Sequence, residues 1–390
     1  MGVLKRGLKK LHSTLKKCRK VDVDKQVVRL SPDIIPKGHV LVSYIIESFL
    51  IDSNHPDFRS HTHYWETRQI VNTFLELGYA VDLISYRNTS FRPERNYDFF
   101  VSARTNFDRL AALLNDTCIK VAHLDTAHWI TSNHYAYRRL FNLVQRRNVA
   151  LKGSIRMIEQ NLAIENADLA TVLGNAFTIE SYAYANKPMY RIPISSTIEY
   201  EWQKRDINSI RRNYLWFGSG GFVHKGLDLV LELFADLPDH QLFVCGPFEN
   251  EGAFLQEYHR ELFETGNIHP VGWVDVNDIK FKNILDQCLG IIYPSCAEGG
   301  GGSVISCMHA GVIPVVSYEA SVDTNGNGIT LADSSLSEMR DAVTRLSGLP
   351  VSELAEMARE TWEFASNTHS KESFAQNYKE FVLNVLLQTG

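Results

Sequence analysis

Short apolar runs alternate with amphipathic stretches along most of this chain, and they do so in two separate series. In the first, HVLVSYI (39–45) reads as a buried strand, a helix follows over 62–77, Gly78 ends it, and AVDLIS (80–85) is the next strand. YDFFVSA (97–103), CIKVAHL (118–124), DLATVLG (168–174) and MYRIPIS (189–195) continue the series, with helical stretches between most of them. The charged stretch EYEWQKRDINSIRRN (199–213) interrupts the rhythm and reads as a linker. The rhythm restarts with NYLWFG (213–218), LDLVLELFADL (227–237), HQLFVCG (240–246), a helix near 252–264 and IHPVGWV (268–274). LGIIYPS (289–295), a helix from about Ser303 and VIPVVS (312–317) complete this core, and helices near 336–346, 351–365 and 371–387 follow. Strand, helix, strand repeated in this way implies parallel sheets covered on both faces. The predicted fold is therefore α/β, with two tandem Rossmann-like, doubly wound domains at 38–200 and 206–369 and a final helix at 370–390.

The composition agrees with two ordinary cores. At 390 residues the length suggests two to three domains of about 150 residues. With 44% apolar residues and 45 acidic against 40 basic, collagen, low-complexity disorder and a globally basic nucleic-acid binder all fit poorly, so no nucleic-acid partner is expected. The 6 cysteines (Cys18, Cys118, Cys245, Cys288, Cys296, Cys307) include no CxxC pair, which suits a reduced cytoplasmic chain. No apolar run approaches the ~18 residues of a spanning helix. The first 20 residues stand apart, with eight basic residues, no acidic one, and Leu4, Leu8, Leu11 and Leu15 on one helical stripe. Residues 1–30 are read as a basic amphipathic tail, and two readings of 1–20 stay open: a foot on an anionic membrane at its inner face, or a tail that is solvated or packs on its own protein.

Ligands of open parallel sheets bind outside the carboxyl ends of the strands, and two facing sheets make a cleft there. The glycine-rich and histidine-rich segments all lie at such ends. In SCAEGGGGSVISCMHAG (295–311) a strand ends at Pro294, Glu298 follows, then four glycines, and a helix opens at Ser303. Successive glycines permit close backbone approach and a helix start offers N–H groups to an anion, a turn that suits a diphosphate. Glu298 beside it would accept from sugar hydroxyls; a tight turn needing positive φ is the plainer reading. FGSGGFVHKGLDLVLELF (217–234) is a second glycine-rich strand-to-helix loop, with His224 and Lys225 just ahead of the helix. Lys225 there could neutralise a leaving phosphate, or be an ordinary exposed lysine near a turn. Neither loop fits G-x-G-x-x-G or the P-loop pattern.

Residues 214–317 resemble the donor half of retaining GT-B glycosyltransferases of the family-four type, the group that includes bacterial polysaccharide and phosphatidylinositol mannosyltransferases. The resemblance is carried by 217–234, LFVCGP (242–247), VGWV (271–274) and 291–311, and in architecture by most of 38–390. It implies transfer of a sugar from a nucleotide-sugar donor to a saccharide or lipid-linked acceptor, with retention, without a metal or cofactor, and within cell-surface polysaccharide biosynthesis. By position, Lys225 matches the phosphate lysine and Glu298 the first carboxylate of a Glu–seven residues–Glu motif that holds the donor sugar. Gly218, Ser219, Gly220 and His224 lie on the donor side, as do Gly300, Gly301, Gly302 and Ser303 at the phosphate-facing turn. Gly272, Trp273 and Val274 match the loop lining the base, and the last helix matches one that crosses back onto the first domain. Two positions depart from the pattern: Ser219 stands where an arginine is usual, and Ser306 where the second glutamate is. A charge-assisted contact is worth about 1.5–3 kcal/mol, so another basic residue is expected to substitute, with His224 and Arg191 the candidates.

In the amino-terminal half, HLDTAHWITSNH (123–134) follows a predicted strand. Its place resembles that of the histidine beside the donor sugar, which favours His128 over His123 as that catalytic residue, with His123 and Asp125 on the acceptor side. A structural histidine is the alternative; zinc on His123, Asp125 and His128 is a weaker one, since the third histidine lies six residues further on. HTHYWETRQIV (61–71) opens the first helix, where His61, His63 and Tyr64 would face the acceptor or simply cap and pack, while Trp65 reads as core. Ser219 and Ser306 motivate the competing reading of a nucleotide-sugar-binding pseudoenzyme, and the fold alone would also suit a nucleotide-sugar epimerase. A metal-dependent transferase of the other major fold needs Asp-x-Asp at a strand end, and Asp22-Val23-Asp24 lies in the tail's trailing segment.

Overall fold

The computed structural model describes residues 23–389 apart from 53, 54, 56, 57, 59 and 60. The basic stripe predicted over 1–20 lies outside the described residues, and among these no helix is long and apolar enough to cross a membrane. Two sheets form. The first contains β1 (Val27–Leu30), β2 (His39–Tyr44), β3 (Ala80–Ser85), β4 (Phe99–Ser102), β5 (Ile119–Leu124), β6 (Leu169–Val172) and β7 (Met189–Arg191), in the order β1-β3-β2-β4-β5-β6-β7. The second contains β8 (Asn213–Phe217), β9 (Gln241–Cys245), β10 (Ile268–Gly272), β11 (Gly290–Tyr293), β12 (Ile313–Ser317) and β13 (Ile329–Leu331), in the order β10-β9-β8-β11-β12-β13.

All pairings are parallel except β1 with β3, which runs antiparallel from Val27↔Ile84 to Leu30↔Val81. This corrects two expectations: residues 27–30 join the sheet rather than the tail, and one edge of that sheet is antiparallel. The central strands are buried on both faces, as the continuous apolar runs required; Val40, Leu41 and Val42 of β2 have no exposed surface. The stretch near 252–264 forms two short helices, Gly252–Glu257 and His259–Phe263, and the linker 199–213 is pinned rather than loose. Arg205 in it donates to the carbonyls of Cys288 and Gly311, and Trp202 packs against Trp362.

Six helices position the site: α1 (Thr62–Glu76), α2 (Trp129–Arg147), α3 (Leu227–Ala235), α4 (Gly302–Met308), α5 (Val351–Thr368) and α6 (Lys371–Thr389). Phe374, Tyr378, Phe381, Val382 and Val385 form one buried stripe along α6. That stripe lies on the first domain, with Phe374 against Trp65, Tyr378 against Phe74 and Phe381 against Tyr190. Deleting one such aromatic costs about 3–5 kcal/mol.

α2 does the converse. It belongs to the first domain in sequence yet docks on the second through its arginines. Arg146 reaches Asp228 at 2.6 Å and Glu232 at 3.1 Å, Arg147 reaches Glu261 at 2.6 Å, and Arg139 donates to the Pro294 carbonyl at 2.7 Å.

Candidate active site

In each sheet the strand order reverses direction about one strand, and loops on either side of that point diverge to leave a crevice. In the second sheet the reversal falls between β8 and β11. The loops that leave these two strands are the two glycine-rich segments, 218–226 and 294–301. The first loop, through Gly218–Gly220, and the start of α4 after the second line a cleft of about 620 Å³ between the domains, while Lys225 and Glu298 lie outside its lining. Of the predicted residues, Gly218, Ser219, Gly220, Trp273, Val274, Gly302, Ser303 and Ser306 line it from the second domain. His61 and His63 line it from the first. Arg156 lines it too, a residue that no motif singled out.

The glycines divide by task. Gly226 has φ +75°, and a Cβ there would fall 2.5 Å from the Pro294 carbonyl oxygen, so only glycine fits the turn into α3. Gly299 would place a Cβ 2.3 Å from the Asp125 carbonyl oxygen; the close approach it permits is between the two domains, not toward a ligand. Gly300 packs beside Ile194 and Gly301 beside Val322, which leaves Gly302 as the glycine of this run that lines the cleft. Gly272 does not line the cleft; its carbonyl accepts from Gly246 N–H at 2.9 Å.

Lys225 and Glu298 are brought together. The lysine amine donates to Glu298 Oε1 at 2.5 Å and to Tyr293 Oη at 2.6 Å. Glu298 Oε1 also accepts from Tyr293 Oη at 2.9 Å and from Ser295 Oγ at 3.0 Å. The Lys225 stem runs directly behind the loop, since a Cβ at Gly218 would come within 3.0 Å of its Cδ. Burial disfavours the lysine's charge and lowers its pKa, with Glu298 opposing that. Burial also opposes ionisation of Glu298, but the charges of Lys225 and then Arg156 outweigh it and hold that carboxyl at about 2. The pair is thus ionised, buried and mutually satisfied. The plainer alternative of an exposed lysine beside a turn is excluded, since Lys225 is 3% exposed; its expected place at the phosphate is not shown by this pairing with Glu298.

The expected substitutes for the missing arginine are committed elsewhere. His224 is buried; its Nε2 bonds the Ala297 carbonyl at 2.8 Å and its Nδ1 accepts from Arg156 N–H at 3.4 Å. Burial lowers its pKa to about 4, so the ring is neutral and its proton sits on Nε2. Arg191 pairs with Asp323 and donates to the Gly174 carbonyl. Ser306 donates to the Gly302 carbonyl at 2.9 Å within α4.

On the first domain, His61 caps α1, accepting from His63 N–H at 3.3 Å, and Tyr64 stacks on the His61 ring. His63 Nδ1 lies 2.7 Å from the fully buried Glu66, which also accepts from Ser195 N at 2.9 Å and Ser195 Oγ at 3.0 Å. Burial opposes charge on His63, yet the Glu66 bond and charge win and raise its pKa. The other two histidines and the aspartate face separate partners. His123 Nδ1 bonds Thr171 Oγ1 at 2.8 Å, and Asp125 takes both a 3.1 Å and a 2.7 Å bond from Arg104. His128 caps α2 by accepting from Ile130 N–H, and its Nε2 bonds Tyr184 Oη at 3.0 Å. No shared ligand position joins the three, and His128 does not line the cleft; its capping role was the structural alternative. A second hollow, of about 750 Å³, lies between α2 and the second domain and takes in none of the predicted site residues.

Arg156, Tyr293, Ser295, Glu66 and Arg104 were not read from the sequence. Tyr293 and Ser295 flank Pro294 in the strand-end segment and were within reach of a search for partners of Glu298. Glu66 lies one helical turn from His63 and was within reach in the same way, whereas Arg156 and Arg104 meet their partners only through tertiary packing.

The arrangement has counterparts among solved structures. TarM matches with 15% identity and a TM-score of 0.52, over 72% of this chain and 53% of that one, so this chain spans about half of TarM's length. HepE of Anabaena in complex with UDP and glucose matches with 13% identity and a TM-score of 0.56, over 90% of this chain and 100% of that one. Sucrose-phosphate synthase of Thermosynechococcus elongatus matches with 13% identity and a TM-score of 0.58, over 90% of this chain and 99% of that one. No protein-family model matches the chain, and no curated protein does. At such identities the likeness is one of fold: this chain has the GT-B architecture, two Rossmann-like α/β domains facing each other across a cleft.

Proposed function

We propose that this protein is a metal-independent, retaining glycosyltransferase that takes a sugar from a nucleotide-sugar donor and passes it to a saccharide or lipid-linked acceptor. The observation that carries the reading is a cleft beside the β8/β11 reversal, lined by Gly218–Gly220 of the first glycine-rich loop and by the start of α4 after the second, and closed from the other domain by His61 and His63. A diphosphate fits against Gly218–Gly220 and Gly302–Ser303, a base against Trp273 and Val274, and an acceptor on the histidine side. The bound UDP and glucose of the fold-matched HepE favour the same class of ligand.

In this reading the bond from the anomeric carbon to the diphosphate oxygen breaks, and its electron pair stays on that oxygen. The acceptor hydroxyl oxygen forms the new bond on the same face of the sugar, and its proton passes to the departing phosphate. Catalysis is then chiefly electrostatic, because charge grows on the diphosphate as the bond opens. Glu298, ionised and held on one oxygen by three donors, keeps acceptor capacity for sugar hydroxyls. A cell-surface polysaccharide pathway and a cytoplasmic location, peripheral to the membrane through residues 1–20, complete the proposal.

The test is incubation of the purified protein with radiolabelled UDP-, GDP- and ADP-sugars and a panel of saccharide and lipid-linked acceptors, with anomeric analysis of any product. Glu298→Gln should spare nucleotide binding and depress transfer. A second reading, a nucleotide-sugar-binding protein without transfer, is favoured by one observation: the Lys225 amine is engaged by Glu298 and Tyr293. Donor binding with no product on any acceptor would select it.

A further inference from the structure

We propose that Arg156, carried by the amino-terminal half of the chain, is the cation that the cleft presents to the diphosphate of its ligand; the assignment rests on the nucleotide-sugar reading above. Among the described residues lining the cleft, Arg156 is the only lysine or arginine. It is exposed, and among the described residues its one side-chain hydrogen bond is to a hydroxyl and no carboxylate lies within ion-pair distance of it. Its guanidinium donates from Nη2 to Ser219 Oγ at 3.0 Å. A guanidinium whose one side-chain hydrogen bond goes to a neutral hydroxyl keeps most of its donors available, even while its charge also acts on the buried Glu298.

The position is built rather than incidental. The Arg156 stem lies across Gly221, where a Cβ would fall 3.1 Å from its Cγ. The backbone beneath it is stitched to the 218–226 loop: His224 N–H donates to the Ser154 carbonyl at 2.9 Å, and Arg156 N–H to His224 Nδ1 at 3.4 Å. Ser154 Oγ also bonds Glu251, whose other oxygen accepts from the Gly221 and Phe222 amides. These contacts fix the guanidinium over the loop that leaves β8, beside Ser219.

A forked, permanently charged donor there matches two phosphate oxygens at once. As the sugar–phosphate bond opens and its electron pair settles on the phosphate, the same fork meets the growing charge. The anion site is consequently shared between the two halves of the chain: glycine amides from one, the cation from the other.

The test is calorimetric titration of the full chain with UDP, GDP and ADP and with the matching nucleosides. Arg156→Ala should weaken the best-bound diphosphate about 10- to 100-fold and leave its nucleoside unchanged. Arg156→Gln, which keeps the stem and a donor but no charge, should lose nearly as much, with an unaltered melting temperature. Adding Ser219→Arg to Arg156→Ala should recover most of the affinity, since Ser219 Oγ stands beside the vacated guanidinium. Equal diphosphate affinity in wild type, R156A and R156Q would overturn the assignment and leave the donor reading standing. A wild type that binds none of the three diphosphates would overturn both.

Discussion

Arginines of the first domain meet the second at several places, and two of these use them in opposite ways. Along α2, Arg138, Arg146 and Arg147 each meet a carboxylate of the second domain, and Arg139 lies 3.9 Å from Asp228 while donating to a backbone carbonyl. Across the cleft, Arg156 meets only the Ser219 hydroxyl among the described residues. Where charges are matched, the contact holds the domains in register. Where one has no carboxylate beside it, as at Arg156, the proposal above gives it an anionic ligand instead. Residue type alone separates nothing here; the partner does.

The sharpest way to break this comparison is to unbalance the matched side. Asp228 is fully buried and faces both Arg139 and Arg146, so Asp228→Ala removes the carboxylate they share and leaves Arg146 only Glu232 and Arg139 only the Pro294 carbonyl. Denaturant unfolding should show a loss of about 3–5 kcal/mol. A loss below about 1 kcal/mol would mean that the α2 contact does not hold the domains together.

A middle-sized effect comes from acid, and it acts on the cleft side. Burial lowers the pKa of His224 to about 4, and of His309 and His369 likewise. The unfolded chain takes up these protons near 6.5 and the folded chain only near 4. Stability from these groups is therefore whole above pH 6.5 and drains away as pH falls toward 4. Replacing His224 with Gln should flatten the part of that slope owed to the stitch beneath Arg156. An unchanged slope in the variant would assign the acid sensitivity elsewhere. Glu298, held at about 2, adds a further loss only below the ordinary carboxylate range, as pH falls through about 2.

The smallest effect refines the matched side. Arg138 pairs with Glu319 at 3.3 Å, but half of its side chain is in water. Arg138→Ala should cost about 0–1 kcal/mol and less in high salt. A cost rivalling that of Asp228→Ala would show that exposure does not grade these contacts.

Much of the fold was legible because buried parallel strands advertise themselves. AVDLIS (80–85) matches β3 residue for residue, and both glycine-rich loops sit where an apolar run gives way to a helix. Two short edge strands were not legible, β1 with four residues and β13 with three, though β7, as short and also at an edge, was read within MYRIPIS (189–195). The candidate site was half legible. Lys225 and Glu298 stood out by their place beside glycines, yet their bond spans 73 positions and no spacing announces it. Arg156 lies in a polar segment between elements, and only packing carries it to the cleft. The absent arginine at Ser219 was visible, but that His224 bonds the Ala297 carbonyl and Arg191 the Gly174 carbonyl was not, because sequence does not say which partner a side chain finds.

The return of α6 onto the first domain bears on how the protein is made. Phe374, Tyr378 and Phe381 complete a face of the amino-terminal lobe, so that lobe emerges from the ribosome with a greasy flank uncovered. Vectorial synthesis, which lets many multidomain chains finish one unit before starting the next, gives this one no such head start. Its first half stays in need of shelter until residues 371–387 have been translated.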